Sequence, residues 1–158
     1  MLYATSDLHL NHGNIVKYTK RPFANTDEMN AELIRRWNNV VQPTDTVLHL
    51  GDLCFNKKDK DFNYWSSRLN GNKIFLQGNH DSHIDAPIQS LVFKYGGIDW
   101  WCSHYPERRY KYNLHGHEHG KNYKIKKIGG DVLVDCSVDN WDYTPISMEK
   151  ILDAVRSP

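Results

Sequence analysis

The sequence predicts an α/β domain with a parallel sheet in its first half and a strand-rich second half. Three observations carry that expectation. Apolar runs alternate with amphipathic stretches as far as Gln77, closely spaced strand runs take over from Ser90, and short polar blocks follow the runs.

Leu2 to Ser6 is a strand-like run that breaks at Asp7, and Leu8 to Ala24 is polar and loop-rich. A helix follows. Asn25 and Glu28 have capping-box spacing, Asp27 and Glu28 favour a first turn, and Met29, Leu33, Trp37 and Val41 repeat on one face until Pro43 closes it. Asp45 to Leu50 is a second strand ending in Gly51-Asp52. Phe62, Trp65 and Leu69 mark a helix before the Asn70-Gly71 turn, and Lys73 to Gln77 is a third strand. Strand, helix, strand, helix, strand implies right-handed crossovers and a parallel sheet.

Ser90 to Tyr95 and Ile98 to Ser103, joined by Gly96-Gly97, read as an antiparallel hairpin. Lys111 to His115, Tyr123 to Ile128 and Asp131 to Cys136 supply further strands, the last two joined by Gly129-Gly130. Met148, Ile151, Leu152 and Val155 fit a closing helix with Ser147 as N-cap. No repeat, linker or low-complexity segment interrupts the chain.

At 158 residues the expectation is one domain spanning 1–158. The 20 basic and 19 acidic residues nearly cancel, which argues against holding nucleic acid by bulk charge. Cys54, Cys102 and Cys136 are odd in number and lack C-x-x-C spacing, so neither a disulfide framework nor a zinc ribbon is expected. The start reaches Asp7 before any signal core could form, and no apolar run nears the ~20 residues needed to span a bilayer. A cytoplasmic protein without membrane contact is the expectation.

The nine histidines fall mostly in five blocks: Asp7-Leu8-His9, Gly51-Asp52, Gly78-Asn79-His80-Asp81, Ser103-His104 and Gly116-His117-Glu118-His119. Each sits where a strand should end, which is where side chains from distant segments can converge. If the segments are extended, Asp7 with His9, and His117 with His119, point the same way by strand alternation and can serve one site. Asp52 follows a glycine that lets an ion approach closely. Asn79 offers an amide oxygen, His80 can face a substrate, and Asp81 can accept a hydrogen bond from the other His80 ring nitrogen. Each block alone has a bland explanation as a locally bonded turn. Their joint occurrence points to a two-metal centre.

The order Asp-x-His, Gly-Asp, Gly-Asn-His-Asp, His, Gly-His-x-His resembles the calcineurin-like metallophosphoesterase superfamily from Asp7 to His119. The stretch from Ser6 to Ile15, with Arg21-Pro22-Phe23, resembles its small stand-alone members. The resemblance implies an α/β fold of two sheets in a β-sandwich flanked by helices, four layers in αββα order, with the site at the carboxyl ends of the strands. It also implies one metal on Asp7, His9, Asp52 and His119 and a second on Asp52, Asn79, His104 and His117. Mixed oxygen and imidazole ligands suit Mn, Fe, Zn, Ni or Mg.

The implied activity is a metal-dependent phosphoric ester hydrolase, in which a metal-bridging hydroxide attacks phosphorus in line and His80, steadied by Asp81, serves the leaving oxygen. A phosphodiesterase acting on a small nucleotide or other small phosphodiester is the first reading. A phosphomonoesterase, a nuclease on short single strands and a non-catalytic protein-binding scaffold are the alternatives. No stable nucleic-acid complex is expected.

Arg21 is the candidate phosphate clamp, against a structural role bonded to a carboxylate, and His12 and Asn14 are candidate substrate contacts, against turn formation. Arg108, Arg109 and Lys111 read as a solvated charge run that could attract an anion. His49 and His115 read as sheet residues, and His83 stays open. Trp100 and Trp101 must face opposite sides of one strand, so one of them at most can offer a stacking surface near the metals.

Overall fold

The computed structural model describes residues 1–81 and 87–157. His83 lies outside the described residues.

Strands β1 (Leu2–Thr5), β2 (Thr46–His49) and β3 (Asn72–Phe75) pair in parallel in the order β3-β2-β1. Their connections carry a short helix α1 (Ile15–Tyr18), the long helix α2 (Thr26–Val40) and the short helix α3 (Phe62–Ser66). The Asn25 side chain accepts from the Glu28 amide at 2.9 Å, while the Glu28 carboxylate returns to the Ala24 amide at 2.7 Å, one residue before the one a capping box uses. Met29, Leu33 and Trp37 form the buried stripe of α2 and pack over Tyr3 and Val47. Trp37 is 1% exposed, so its truncation to alanine costs about 3–5 kcal/mol.

Ala4 and Leu48, the next residues along the same strands, face the other way, into a second cluster with Trp100, Cys102, Leu114 and Val134. That cluster is the contact between two sheets. The second sheet runs β4-β5-β6-β8-β7, from β4 (Ser90–Tyr95), β5 (Ile98–Ser103), β6 (Tyr112–His115), β7 (Ile125–Ile128) and β8 (Asp131–Asp135). β4 and β5 form the expected hairpin, β7 pairs antiparallel with β8, and β5, β6 and β8 are mutually parallel. The result is two mixed sheets in a sandwich with helices α2 and α3 over the first.

Helix α4 (Met148–Arg156), capped by the Ser147 hydroxyl at 3.3 Å from the Lys150 amide, sends Met148, Ile151, Leu152 and Val155 into the inter-sheet core. The four-residue helix α1 falls within the stretch read as loop-rich, and two further elements were invisible to periodicity. The two-residue strand β9 (Ile146–Ser147) adds antiparallel to β1, and a 3₁₀ turn spans Val138–Asn140. Both are too short to carry a pattern.

All five polar blocks lie at the ends of parallel strands: β1, β2, β3, β5 and β6. Ser6 bridges Ser137 in parallel, so the ends of β1 and β8 meet where the two sheets join. Among the described residues, no helix is long and apolar enough to cross a membrane.

Candidate metal centre

The strand-alternation argument for Asp7/His9 and His117/His119 does not hold. β1 stops at Thr5, and Asp7 (φ 57°), His9 (φ 50°), His117 (φ 70°) and His119 (φ 50°) are all left-handed, as is Asp52 (φ 59°). Left-handed residues spaced by one turn both side chains inward while Leu8 between them enters the core at 1% exposure. Each such residue costs of order 1–3 kcal/mol and persists only where surrounding structure over-determines it. Here that structure is a run of parallel bonds: Asp7 N to Gly51 O at 3.0 Å, His9 N to Asp52 O at 3.1 Å and Leu10 N to Leu53 O at 2.9 Å.

The result is a tight group. Asp7 Oδ1 lies 3.7 Å from His9 Nε2 and 3.6 Å from His119 Nε2, while Asp52 Oδ2 lies 3.5 Å from both His9 Nε2 and His104 Nε2. Asn79 Oδ1 lies 2.9 Å from His104 Nε2 and 3.1 Å from His117 Nδ1. Asp7, His9 and His119 form one set able to hold a metal ion, and Asp7, Asp52 and His104 a second.

Three observations fit a cation at this point. Asp7 Oδ1 and His9 Nε2 are buried with no hydrogen-bond partner, an arrangement that costs free energy unless something fills it. His104 Nδ1 faces the Leu50 carbonyl at 2.9 Å, and donating there turns the Nε2 lone pair of the neutral ring toward two further acceptors, Asn79 Oδ1 and Asp52 Oδ2. A cation between Nε2 and these two oxygens satisfies all three atoms together. The backbone also makes room, since a Cβ at Gly78 would overlap Asp52 Oδ1 and one at Gly116 would overlap Ser6 Oγ and Asp7 Oδ2.

Burial pushes the Asp7 carboxyl up, yet His9, His119 and His104 outweigh it and hold that group well below the usual carboxylate range. Burial wins at Asp52, where His104 and His9 only partly oppose the rise. A divalent ion favours the charged form of both. The cysteines supply no competing thiolate: burial pushes Cys54 up to about 12 and carries Cys102 and Cys136 upward too.

Arg21 is not free to clamp phosphate. Its side chain is fully buried, with Nε and Nη2 on the two oxygens of Asp139 at 3.0 and 2.9 Å, Nη1 on Leu8 O at 2.8 Å and Nη2 on Asp7 O at 2.7 Å. Asp139 in turn faces His119 Nδ1 at 3.1 Å. The expected Asp81–His80 pairing is also absent among the described residues. Asp81 Oδ2 instead accepts from the Asp52 and Gly78 amides at 2.6 and 2.9 Å, locking two loops together.

Asp139 and Ser137, whose hydroxyl donates to Asp7 Oδ2 at 3.0 Å, were missed. They follow β8 as the other blocks follow their strands, so the strand-end rule applied a sixth time would have found them. Phe55 was also missed. It is 45% exposed and stacks on His12 at 5.1 Å and 15°, and His80 completes this rim with ring centroids 5.9 Å from His12 and 5.4 Å from His9. Burial and the repulsion of His9, His80 and Arg21 bring His12 down to about 4.

Asn14 is exposed at the start of α1 and makes no capping bond. Its side chain is not brought to the cluster by any contact among the described residues. His49 and His115 are buried sheet residues, the latter bonded to Gly116 O and Tyr123 Oη at 2.7 and 3.0 Å. Trp100 is core, and Trp101 stacks on Tyr110 at 5.5 Å. Arg108 and Arg109 pair locally with Asp131 and Glu107.

A two-sheet fold whose strand ends gather carboxylates and imidazoles around one buried point defines a class of proteins built around a candidate metal site. The sequence pattern of calcineurin-like phosphoesterases matches residues 2–141, and the chain belongs to that family. It is 37% identical to the uncharacterized protein MJ1445 of Methanocaldococcus jannaschii over 98% of this chain and 91% of that one. Among solved structures, a protein of unknown function from Aquifex aeolicus, AQ665, superimposes with TM-score 0.71 at 26% identity, covering 98% of both chains. Vps29 of Entamoeba histolytica, complexed with zinc, shares the fold with TM-score 0.50 at 19% identity, over 85% of this chain and 72% of that one.

Proposed function

We propose that the protein is a two-metal phosphodiesterase acting on a small nucleotide or similar diester. The observation that carries this is the position of Asp52 Oδ2, 3.5 Å from His9 Nε2 on one side and 3.5 Å from His104 Nε2 on the other. A carboxylate shared between two ligand groups is what a metal pair requires. Asp7, His9, Asp52 and His119 would hold one ion, and Asp52, Asn79, His104 and His117 the other. When bound, such a pair supplies Lewis acidity toward phosphoryl oxygens and a water ionised near neutral pH.

The oxygen of water bonds to phosphorus, the ester P–O bond on the opposite side breaks, and the departing oxygen needs a proton. His80 is exposed and its ring borders His9 and His12, so it meets the leaving oxygen at the rim and delivers that proton. His12, held neutral, and Phe55 present a flat surface beside it.

A diester fits better than a monoester. Among the described residues, no lysine or arginine except Arg21 bonds to a cluster residue, and Arg21 is spent on Asp139 and backbone carbonyls. A monoester dianion needs that extra cationic help more than a diester monoanion does.

The test is turnover of manganese-loaded protein on bis(p-nitrophenyl) phosphate, p-nitrophenyl phosphate, a cyclic nucleotide and a short single strand. Metal-dependent diester hydrolysis is expected, with Asn79→Ala losing metal and His80→Ala keeping metal but losing about 10²–10⁴-fold in rate on poor leaving groups. Turnover confined to the monoester would overturn the diester reading. Metal binding without turnover would favour a binding scaffold.

A further inference from the structure

A cavity of about 250 Å³ opens beside the cluster, lined by Gln77, Asn79, Gln89, His104, Tyr105 and Glu107 among others. We infer that it is the subsite for the ester group that stays on phosphorus, and that it takes an amino-bearing nucleobase such as guanine. The inference rests on the phosphodiesterase reading, because a monoester has no second group to place there.

Position is the first argument. Asn79 and His104 belong both to the cavity wall and to the cluster, with Asn79 Oδ1 and His104 Nε2 only 2.9 Å apart. The His12–Phe55–His80 rim borders His9, and Asp52 Oδ2 lies between His9 and His104. A phosphodiester laid across Asp52 therefore sends its leaving group toward His80 and its retained group into the cavity.

Size and chemistry choose the occupant. The volume falls below the roughly 300–1,000 Å³ of pockets that enclose a whole drug-sized ligand, so one ring system fits and a dinucleotide does not. Tyr105 supplies an aromatic wall: it is 47% exposed, and its ring is braced against His117 at 4.5 Å and His104 at 5.1 Å. Bases stack on such faces.

Polar groups in the wall lean toward acceptors. The Gln77 amide nitrogen is directed at Asp81 O at 3.5 Å, which leaves its oxygen for a ligand. Glu107 Oε2 is buried with no hydrogen-bond partner, 2.8 Å from Arg109 Nε in an ion pair, and the Glu107 backbone amide donates to Asn113 Oδ1 at 2.9 Å, which fixes the main chain there. No lysine or arginine lines the cavity among the described residues, so a second phosphate has no counter-charge there. A neutral ring with adjacent N–H donors satisfies these acceptors. Guanine presents such an edge, and uracil places carbonyls on both sides of its one donor. A larger cavity of about 740 Å³, lined by Tyr3, Lys124, Trp141 and Lys150 among others, shares no residue with the cluster.

The experiment compares the manganese-loaded protein on the p-nitrophenyl esters of guanosine and uridine 5′-monophosphate and on bis(p-nitrophenyl) phosphate, in wild type, Glu107→Gln and Gln89→Ala. The same leaving group departs in every case, so differences report the retained group. Wild type should prefer the guanosine ester, and Glu107→Gln should lose about 10- to 100-fold in kcat/KM on it, the worth of one charge-assisted hydrogen bond. The loss on the guanosine ester should exceed, in both variants, any change on bis(p-nitrophenyl) phosphate, whose retained ring enters the same cavity without N–H donors for those side chains. Equal rates on the two nucleoside esters, with the simple diester still hydrolysed, would overturn the subsite and leave the phosphodiesterase reading standing. If no diester is hydrolysed, the phosphodiesterase reading fails and the subsite that rests on it fails with it.

Discussion

Asp139 Oδ2 lies 3.1 Å from His119 Nδ1, and this contact turns the opposite nitrogen of the ring toward Asp7 Oδ1 at 3.6 Å. A carboxylate behind a candidate metal-binding histidine sets its tautomer and raises its basicity. Burial alone would push His119 down, and the Asp139 hydrogen bond together with the charge of Asp7 outweighs it, leaving the group raised. Asp139→Asn should therefore weaken metal binding by about 10- to 100-fold. Calorimetric titration with manganese measures this, and an unchanged affinity would remove Asp139 from the site.

Arg21 and Asp139 form a buried pair bonded at both carboxylate oxygens. Arg21→Met leaves that carboxylate uncompensated, so the folded state should lose about 3–5 kcal/mol, read from urea denaturation. A phosphate clamp behaves differently. Were Arg21 to contact substrate, the same variant would raise KM with little change in the denaturation midpoint.

Gly78→Ala places a Cβ on top of Asp52 Oδ1 and its amide. Asp52 must move, and with it the oxygen shared between His9 and His104. Bound metal after dialysis, measured by elemental analysis, should fall well below the wild-type level. A fully loaded variant would contradict the central position given to Asp52.

Asp81→Ala removes the acceptor of two buried amides, Asp52 N and Gly78 N. Charge-assisted bonds are worth roughly 1.5–3 kcal/mol each, so a stability loss of about 3 kcal/mol is expected along with weaker metal binding. If Asp81 acted through His80 instead, its variant would reproduce the kinetics of His80→Ala at wild-type stability.

His49 is buried between Trp37 and Phe75, and burial outweighs the pull of Asp81 and Asp7 to bring its pKa from 6.5 down to about 4. Its folded pKa is below its unfolded one, so between pH 6.5 and 4 the unfolded chain binds more protons. Stability is therefore retained above that window and lost as pH falls through it. Thermal midpoints of wild type should decline across this range more steeply than those of His49→Phe, and parallel curves would show that His49 does not titrate on unfolding.

Legibility in the sequence followed locality. Asn25, Ser147 and the Gly96-Gly97 turn act within a few residues of themselves, and their cap and hairpin were readable in advance. The left-handed conformations of Asp7 and His9 were not readable, because they are sustained by bonds to Gly51 and Asp52, more than forty positions away. Arg21 was ambiguous for the same reason, since its carboxylate partner is 118 residues along the chain. β9 had no periodicity to betray it, and only its pairing with Tyr3 and Ala4 defines it.

What the sequence determined by itself is the inventory and order of chemical groups, and the strand ends that carry them. Alternation and capping are short-range physics, and a strand that ends in Gly-Asp announces a polar terminus in any fold. Tertiary structure decided which groups meet. It placed Asp52 between His9 and His104, spent Arg21 on Asp139, and set Asp81 against two backbone amides. Those assignments depend on distances between segments far apart in the chain, and only packing of the two sheets establishes such distances.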